Sequence, residues 1–193
     1  MKLTKYIWTR KTIHLSASLL PILYYHFFSR YQFFLITLVL TLIALSTEFL
    51  RFKNERFACL FYKVFGKLLW THESHTLSAS TTFIIGALIA TALFSKTITV
   101  IVLLFLTFGD TIAYFVGNTI GRIKLFGEKT LEGAIACFLM SLIIALMIPG
   151  IELWQGILGA LVASIVELFP WRIDDNFSIP IISGAFLQLF THI

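Results

Sequence analysis

Seven continuous apolar stretches divide this chain, and they constrain its fold more than any other feature of the sequence. Each is close to the ~20 residues that an α-helix needs to cross the ~30 Å hydrocarbon core of a bilayer. None shows the alternation of polar and apolar residues that a membrane β-barrel strand requires. The sequence therefore predicts an all-α fold, a polytopic membrane helix bundle with about seven transmembrane helices. They cover residues 12–29, 31–50, 76–95, 97–116, 131–149, 151–169 and 177–192.

The composition favours one integral membrane domain over residues 1–193. Hydrophobic residues make up 58% of the chain and charged residues only 13%, whereas about a quarter of a soluble domain is charged. No small-residue cleavage site follows the first apolar stretch, so we interpret it as a transmembrane helix and not as a signal peptide.

The distribution of lysine and arginine predicts how the chain is oriented in the membrane. With seven spans, thirteen of the 15 lysines and arginines fall on one side and two on the other. The positive-inside rule then places the N-terminus in the cytoplasm. All carboxylates except that of Glu152 fall on or near the same side. The sequence thus predicts a polar site that faces the cytoplasm, and the short loops favour a bacterial inner membrane.

The net charge of +5 also raises the question of nucleic acid as a partner. The cations lie beside the predicted spans and not on a soluble face, so we exclude that partner and expect the bilayer instead. The sequence leaves the oligomeric state open.

The long loop over residues 51–75 contains a predicted amphipathic helix. Apolar residues recur at helical spacing from Phe57 to Leu68, while Arg56, Lys63 and Lys67 fall largely on the opposite side. This pattern is typical of a helix that lies on the inner leaflet. Such a helix would anchor the protein or help a lipid substrate to enter from the side.

An aspartate stands inside the fourth apolar stretch, in "FGDTIAYFVGNTIGRIKLFGEKTLEG". A lone carboxylate at the depth of Asp110 costs a few kcal/mol or more, so it should be paired, protonated or bound to a metal. Ala113, Gly117 and Gly121 share its helix face and make that face small. Two hypotheses follow: Asp110 is a Mg²⁺ ligand or catalytic acid–base residue, or the face is a helix contact in which one cation holds Asp110.

The loop that follows Asp110 has the chemistry of an anion site. Arg122, Lys124 and Lys129 supply cations, and the neighbouring glycines let backbone N–H groups approach a phosphate. Thr130 is a predicted N-cap of the fifth span, with Glu132 in its first turn. In this topology the odd-numbered spans point their N-termini at the cytoplasm. The positive ends of their helix dipoles then face the predicted site, which suits a polyphosphate with its metal. A cluster that only sets the membrane orientation is the alternative.

Two further groups belong to the same side. "RKTIH" places Arg10, Lys11 and His14 at the entrance of the first span. Glu48 and Arg51 are three residues apart and fit a structural ion pair.

The last polar group lies before the seventh span. Asp174, Asp175 and Asn176 are hard oxygen donors of the kind that Mg²⁺ binds, or else a turn and helix cap. Pro180 fits the first turn of that span. No "GxxxxGK[ST]" motif occurs, so a nucleotide would not be bound by a P-loop.

Taken together, these motifs resemble the CTP-dependent lipid-alcohol kinases, which include dolichol, phytol and fungal-type diacylglycerol kinases. The resemblance runs along the whole chain in family order. A pattern similar to the middle motif also occurs in phosphatidate cytidylyltransferases, but their closing Lys-Arg, Lys-Asp and His-Gly-Gly-rich signature is missing here. The matching motifs are "RKTIH", the "E..R" of Glu48 and Arg51, "FGDTIAYFVGNTIGRIK", "GEKTLEG" and "VELFPWRIDDNFSIPIISG".

The resemblance implies that the γ-phosphate of CTP is transferred, with Mg²⁺, to the hydroxyl of a membrane lipid. That lipid would be polyprenol- or dolichol-like, phytol-like or a diacylglycerol. The residues and the resemblance together predict catalytic roles for Asp110, Lys129 and Asp175, and metal ligation by Asp110, Asp174 and Asp175. The predicted nucleotide-binding residues are Arg10, Lys11, His14, Gly117, Gly121, Arg122, Lys124, Thr130, Glu132 and Asn176.

Two other functions remain as alternatives. A phosphatidate cytidylyltransferase-like enzyme would transfer CMP to a lipid phosphate with the same metal and polyphosphate chemistry. A small transporter or scaffold would line an anion pathway with its polar residues. A pathway needs polar residues in both halves of the bilayer, and the outer half of this chain has almost no charge.

Overall fold

The computed structural model describes residues 2–66, 69, 73, 76–169 and 174–190, with side chains from residue 8 onward. This part of the chain is mostly helical, as predicted. The predicted positions of Lys67, Leu68 and Arg172, and the last two residues of the seventh span, lie outside the described residues. The helices are α1 Lys2–Ser16, α2 Leu19–Phe27, α3 Arg30–Lys53, α4 Glu55–Phe65, α5 Ala79–Leu93, α6 Lys96–Leu104, α7 Asp110–Thr119, α8 Leu131–Met147, α9 Leu153–Leu168 and α10 Asp175–Phe190.

Two helical segments are long and apolar enough to cross a membrane, judged by length and composition alone. They are Arg30–Lys53 and the continuous segment Lys96–Thr119. Ala79–Leu93, Leu131–Met147 and Leu153–Leu168 are apolar but shorter. Two candidate spans are therefore observed in the described chain, and about seven remains a prediction.

Helix α6 forms the centre of the bundle. Every residue from Ile98 to Leu104 is buried, which is the pattern of a helix surrounded by other helices on all sides. Helices α2, α5, α8 and α10 pack around it. Helix α9 lies between α8 and α10, and α3 packs on α5.

The first predicted span is wrong as a single helix, because the chain is interrupted between α1 and α2. Pro21 has no N–H, and its ring clashes with the carbonyl four residues earlier, that of Ala17. The backbone adapts with hydrogen bonds that reach back three residues instead of four, from Leu20 N to Ala17 O and from Ser18 N to Leu15 O. The proline thus sets the direction of α2 relative to α1.

A π-helical turn, Phe105–Gly109, joins α6 to α7 directly before Asp110. Single π turns inside α-helices are rare and are frequent at functional sites. Because this turn carries an extra residue, it resets the face on which Asp110 and the residues of α7 lie.

The loop after α7 is a small β-hairpin, which the all-α prediction did not include. Strands β1 Lys124–Phe126 and β2 Lys129–Thr130 pair antiparallel. The turn contains Gly127 at φ 57°, a left-handed conformation that glycine adopts without a steric penalty. The short loop therefore has a fixed geometry at the start of α8.

The predicted amphipathic helix forms as α4. Asn54 caps it by accepting hydrogen bonds from the backbone N–H groups of Arg56 and Phe57. No residue of α4 is buried, and Leu60, Val64 and Phe65 are exposed. Its position on the inner leaflet stays a prediction.

Pro180 lies inside α10 and not in its first turn, because the helix begins at Asp175, before the predicted span. The proline frees the carbonyl of Asn176 from an intrahelical hydrogen bond. Helix α5 approaches that carbonyl at Gly86, where a Cβ would lie 2.7 Å from the Asn176 oxygen.

The outer faces of the bundle are apolar. On α8, Ile135, Leu139, Ile143 and Leu146 recur on one face, and each is at least half exposed. Soluble monomers rarely expose contiguous apolar surface on this scale. The bundle is therefore suited to a surrounding of lipid chains.

A close helix contact gives a test of this packing. A Cβ on Gly184 of α10 would lie 2.3 Å from the ring of buried Phe94. We expect Gly184→Ala to destabilise the bundle by about 1–3 kcal/mol, because the core is overpacked there. A Gly→Ala change in a helix without such a contact would stabilise the protein. The thermal midpoint of unfolding in detergent micelles should therefore fall if the contact exists and rise if it does not. When Phe94→Leu is combined with Gly184→Ala, the smaller side chain should reduce the destabilisation caused by the added methyl group. If the effects of the two substitutions simply add, the contact is contradicted.

Candidate active site

Charged residues from several helix ends line one cavity of about 1370 Å³. Pockets for a single small molecule usually measure ~300–1,000 Å³, so this cavity has room for more than one ligand. Its polar lining includes Arg10, Lys11, His14, Glu48, Glu73, Asp110, Tyr114, Lys129, Asp174, Asp175 and Asn176.

Asp110 is paired, which is one of the states expected from its depth. Lys11 Nζ lies 2.6 Å from Asp110 Oδ2, and His14 Nε2 lies 3.4 Å from the same oxygen. The Lys11 ammonium also lies 4.7 Å from the centre of the Tyr114 ring. Helix α1 thus supplies the Lys11 ammonium that neutralises the carboxylate of α7.

Lys129, the first residue of β2, is held between two carboxylates. Its ammonium donates to Glu167 Oε1 at 2.5 Å, to Glu167 O at 2.7 Å and to Asp175 Oδ2 at 3.1 Å. Burial alone would lower the pKa of Lys129, but the two carboxylates outweigh burial and raise that pKa above its ordinary value. Lys129 is therefore a permanent cation.

The start of α10 combines a cap with an ion pair. Asp174 Oδ1 accepts from Asn176 N at 2.8 Å and from Asn176 Nδ2 at 2.7 Å, so the helix-cap interpretation is correct. Burial raises the pKa of Asp175, and the charge of Lys129 offsets this only in part. The Asp175 side chain stays one-third exposed towards the cavity.

Glu73 was missed by the sequence analysis as a site residue. It is buried and forms a two-pronged ion pair with Arg10, with Nη2–Oε1 at 2.8 Å and Nη1–Oε2 at 3.0 Å. Its Oε1 also accepts the backbone N–H of Ala79, at the start of α5. A single glutamate gives no periodic signal in the sequence, so only the fold reveals this contact.

The predicted pair of Glu48 and Arg51 is confirmed, and it organises the same corner. Arg51 Nε donates to Glu48 Oε2 at 2.7 Å. The other guanidinium nitrogens donate to the backbone oxygens of Glu73 and Thr76, each at 2.7 Å. Glu48 Oε1 in turn accepts from Ser78 N and the Thr81 hydroxyl. This buried network holds the backbone at Glu73 and at Thr76, before the start of α5.

Six predicted nucleotide-binding residues do not line the cavity. Their contacts within the described chain are structural, so nucleotide binding by these residues stays a prediction without geometric support. They are Gly117, Gly121, Arg122, Lys124, Thr130 and Glu132.

The glycines allow α7 to pack against α8. A Cβ on Gly117 would lie 3.0 Å from Thr130 Oγ1, and one on Gly121 would lie 2.8 Å from it. Thr130 caps α8 through Gly133 N, as predicted. The close packing expected of this small face is therefore observed, and the role of Asp110 stays a prediction.

The predicted anion site in the loop is filled by the protein itself. Glu132 Oε1 accepts the backbone N–H groups of Arg122 at 3.0 Å and Ile123 at 3.3 Å. Lys124 pairs with exposed Glu128. The backbone N–H groups of Arg122 and Ile123 are therefore occupied by Glu132 and not by a phosphate. The role that remains for the hairpin is to position Lys129.

The donor chemistry fits Mg²⁺ that arrives with a polyphosphate. Within the described ranges, no three His, Cys, Asp or Glu side chains form a ready-made metal site. Asp110 and Asp175 each face a lysine, and Asp174 caps α10. Mg²⁺ commonly takes one or two carboxylates together with substrate phosphates, which this oxygen-only set can offer.

Comparisons with known proteins find relatives that share one name. The chain is 28% identical to CTP-dependent diacylglycerol kinase 1 of Saccharomyces cerevisiae, over 96% of the chain and 74% of that protein. It is 26% identical to the protein of the same name from Eremothecium gossypii, over 96% of the chain and 68% of the relative. The Schizosaccharomyces pombe protein of that name is 24% identical, over 76% of the chain and 75% of the relative.

These relatives confirm the resemblance to CTP-dependent lipid kinases. No solved structure matches the chain. The sequence model of the cytidylyltransferase family matches residues 1–170, which is most of the 193-residue chain. Because that match extends through α1 to α9 and includes Lys11, Asp110 and Lys129 of the cavity, the chain belongs to the cytidylyltransferase family.

Proposed function

We propose that this protein is a CTP-dependent lipid kinase that transfers the γ-phosphate of CTP to the hydroxyl of a membrane lipid. The observation that carries the proposal is the mixed lining of one cavity. Cations and carboxylates line the same cavity as apolar residues such as Leu20, Ala44 and Phe83. A charged nucleotide and a lipid alcohol are the pair of substrates that such a cavity suits.

The relatives support both the donor and the type of reaction, since three are named CTP-dependent diacylglycerol kinases. Diacylglycerol is therefore the first substrate to test. A polyprenol or a phytol-like alcohol offers the same hydroxyl on an apolar chain.

In this proposal the cations of the cavity bind the triphosphate. Arg10, Lys11 and Lys129 come from two separate parts of the chain and line the same space. Phosphoryl transfer depends mainly on alignment and on neutralising charge on the transferred group. Glu73 and Glu167 hold Arg10 and Lys129 in place, so these cations are positioned before the nucleotide arrives.

Asp110 orients the lipid hydroxyl in the proposed reaction. Its neighbour His14 makes an edge contact with the ring of Phe83, in the apolar wall. The hydroxyl donates its proton to the Asp110 carboxylate while its oxygen forms a bond to the γ-phosphorus. The bond between that phosphorus and the bridging oxygen breaks, and CDP leaves with the electron pair.

Mg²⁺ would neutralise the β- and γ-phosphates when it is bound. Asp174 and Asp175, with Asn176 beside them, are the residues that would hold it, and Asp110 is a further candidate ligand. Lys129 lies 3.1 Å from Asp175 Oδ2 and keeps that carboxylate near the phosphates.

We further propose a multi-pass membrane protein with the cavity facing the cytoplasm. The two cations that the predicted topology places outside, Arg30 and Lys96, support this orientation, because both donate to backbone oxygens at helix ends. Arg30 donates to the backbone oxygens of Thr91 and Ala92, and Lys96 donates to that of Phe28. The exposed apolar side of α4 suits the inner leaflet. A bacterial inner membrane is the proposed location.

The second candidate function is transfer of CMP to a lipid phosphate, favoured by the family match. The position of a radioactive label in CTP separates the two reactions. We expect label from the γ-phosphate to enter diacylglycerol in the presence of Mg²⁺. Entry of α-phosphate label into phosphatidate, with release of pyrophosphate, would replace the kinase proposal with the second candidate.

Substitutions in the cavity test the roles of Asp110 and Lys129. We expect Asp110→Asn and Lys129→Ala each to lower kcat by about 100-fold or more, because each removes a charge that acts on the reacting groups. Initial rates with γ-labelled CTP measure this, and membrane insertion should persist. Glu55→Gln and Lys63→Ala on exposed α4 are the matched controls. Near-wild-type turnover in both cavity variants would remove these residues from the site.

A further substitution tests whether Glu73 positions Arg10. We expect Glu73→Gln to raise the KM for CTP by about tenfold with a smaller change in kcat, since the guanidinium loses its two-pronged partner. Glu73→Asp should restore part of the affinity. A KM that is unchanged or lower would mean that Glu73 only competes with the phosphate for Arg10.

A further inference from the structure

The cavity continues from its charged end into an apolar arm. We define this apolar arm by apolar residues that line the cavity between Ala17 and Leu23, on α3 and on α5. Small residues widen it, notably Ala17 before α2 and Ala44 on α3. The arm is lined by Ala17, Leu19, Leu20, Leu23, Ala44, Phe83 and Ile84.

The charged and apolar parts of the lining come from consecutive helices. Lys11 and His14 lie on α1, whereas Leu19, Leu20 and Leu23 lie on α2, beyond the break between the two helices.

The apolar arm is open to the side of the bundle. Leu19 and Leu23 line the cavity, yet they remain 59% and 44% exposed. Helix α2 packs on α6, whereas α3 packs on α5, and the two helices meet at the stacked rings of Tyr24 and Phe33 beside their connection. Leu19 and Leu23 are thus lining residues that also face the outside of the bundle.

We propose that the apolar arm binds the hydrocarbon chain of the lipid alcohol, which enters sideways from the bilayer between α2 and α3. This inference rests on the proposed kinase function and names the place of its lipid substrate. Phe83 lines the arm and contacts the His14 ring, with 6.3 Å between ring centroids. His14 contacts Asp110, so a chain that fills the arm brings its hydroxyl to the carboxylate.

Continuity with the charged end favours a substrate chain over other occupants. Water gains few partners in an apolar space. A soluble protein segment would have to cross the hydrocarbon region to reach the gap between α2 and α3. A resident phospholipid is the remaining occupant, and it would not be consumed by the reaction.

The test compares two neighbouring residues of α2 that receive the same substitution. Leu23→Trp narrows the apolar arm, whereas Ile22→Trp changes an exposed neighbour that does not line it. On α3, Ala44→Phe and Leu42→Phe form a second matched pair. The measurement is kcat/KM for dioleoylglycerol and for dioctanoylglycerol in mixed micelles. We expect the arm variants to lower the ratio of long-chain to short-chain kcat/KM by about tenfold, and the controls to leave it unchanged.

A binding measurement separates this proposal from the kinase proposal. A diacylglycerol with a photoreactive group at its chain end should crosslink to α2 or α3, with less crosslinking in Leu23→Trp than in Ile22→Trp. Crosslinking without kinase activity would reject the kinase and keep the arm as a lipid site. Equal chain-length ratios in all four variants, or crosslinking by a phospholipid that diacylglycerol does not displace, would overturn the proposal.

Discussion

Pairing of charges in an apolar bundle is the interaction on which this structure depends. Lys11 pairs with Asp110, Lys129 with Glu167 and Asp175, and Arg10 with Glu73. Each isolated charge would cost several kcal/mol away from water. The pairs join α1 to α7, and β2 to α9 and α10. The same contacts that neutralise the charges therefore also gather distant parts of the chain around one cavity.

The pairs also explain why the cavity suits a ligand of high charge. In the structure, each cation that the nucleotide proposal uses already faces a carboxylate of the protein. A bound triphosphate would therefore share these cations with Asp110, Asp175 and Glu73. Mg²⁺ would supply the additional positive charge for the carboxylates.

Much of the fold could be predicted, because apolar runs and caps are local signals. The helices of the apolar stretches, the cap at Thr130 and the ion pair of Glu48 with Arg51 all followed from spacing along the chain. The break at Pro21, the π turn before Asp110 and the hairpin did not, since each depends on how the backbone relieves a clash or meets a neighbouring helix. The shared cavity of Asp110, Lys129 and Asp175 agrees with the predicted clustering, while Glu73 and Glu132 acquire their contacts only through tertiary packing.

The π-helical turn Phe105–Gly109 has a consequence for how this chain tolerates insertion and deletion. Each residue of an α-helix advances the side chains by about 100° around the axis. The π turn holds one residue more than an α-helical turn over the same rotation, so losing a single residue from it would restore an unbroken α-helix and leave the later side chains of α7 facing the same directions. A deletion in the regular part of α6 would instead rotate every later side chain, so this turn is the place where the helix absorbs a change in length without moving the acid of the site or the small face that receives α8.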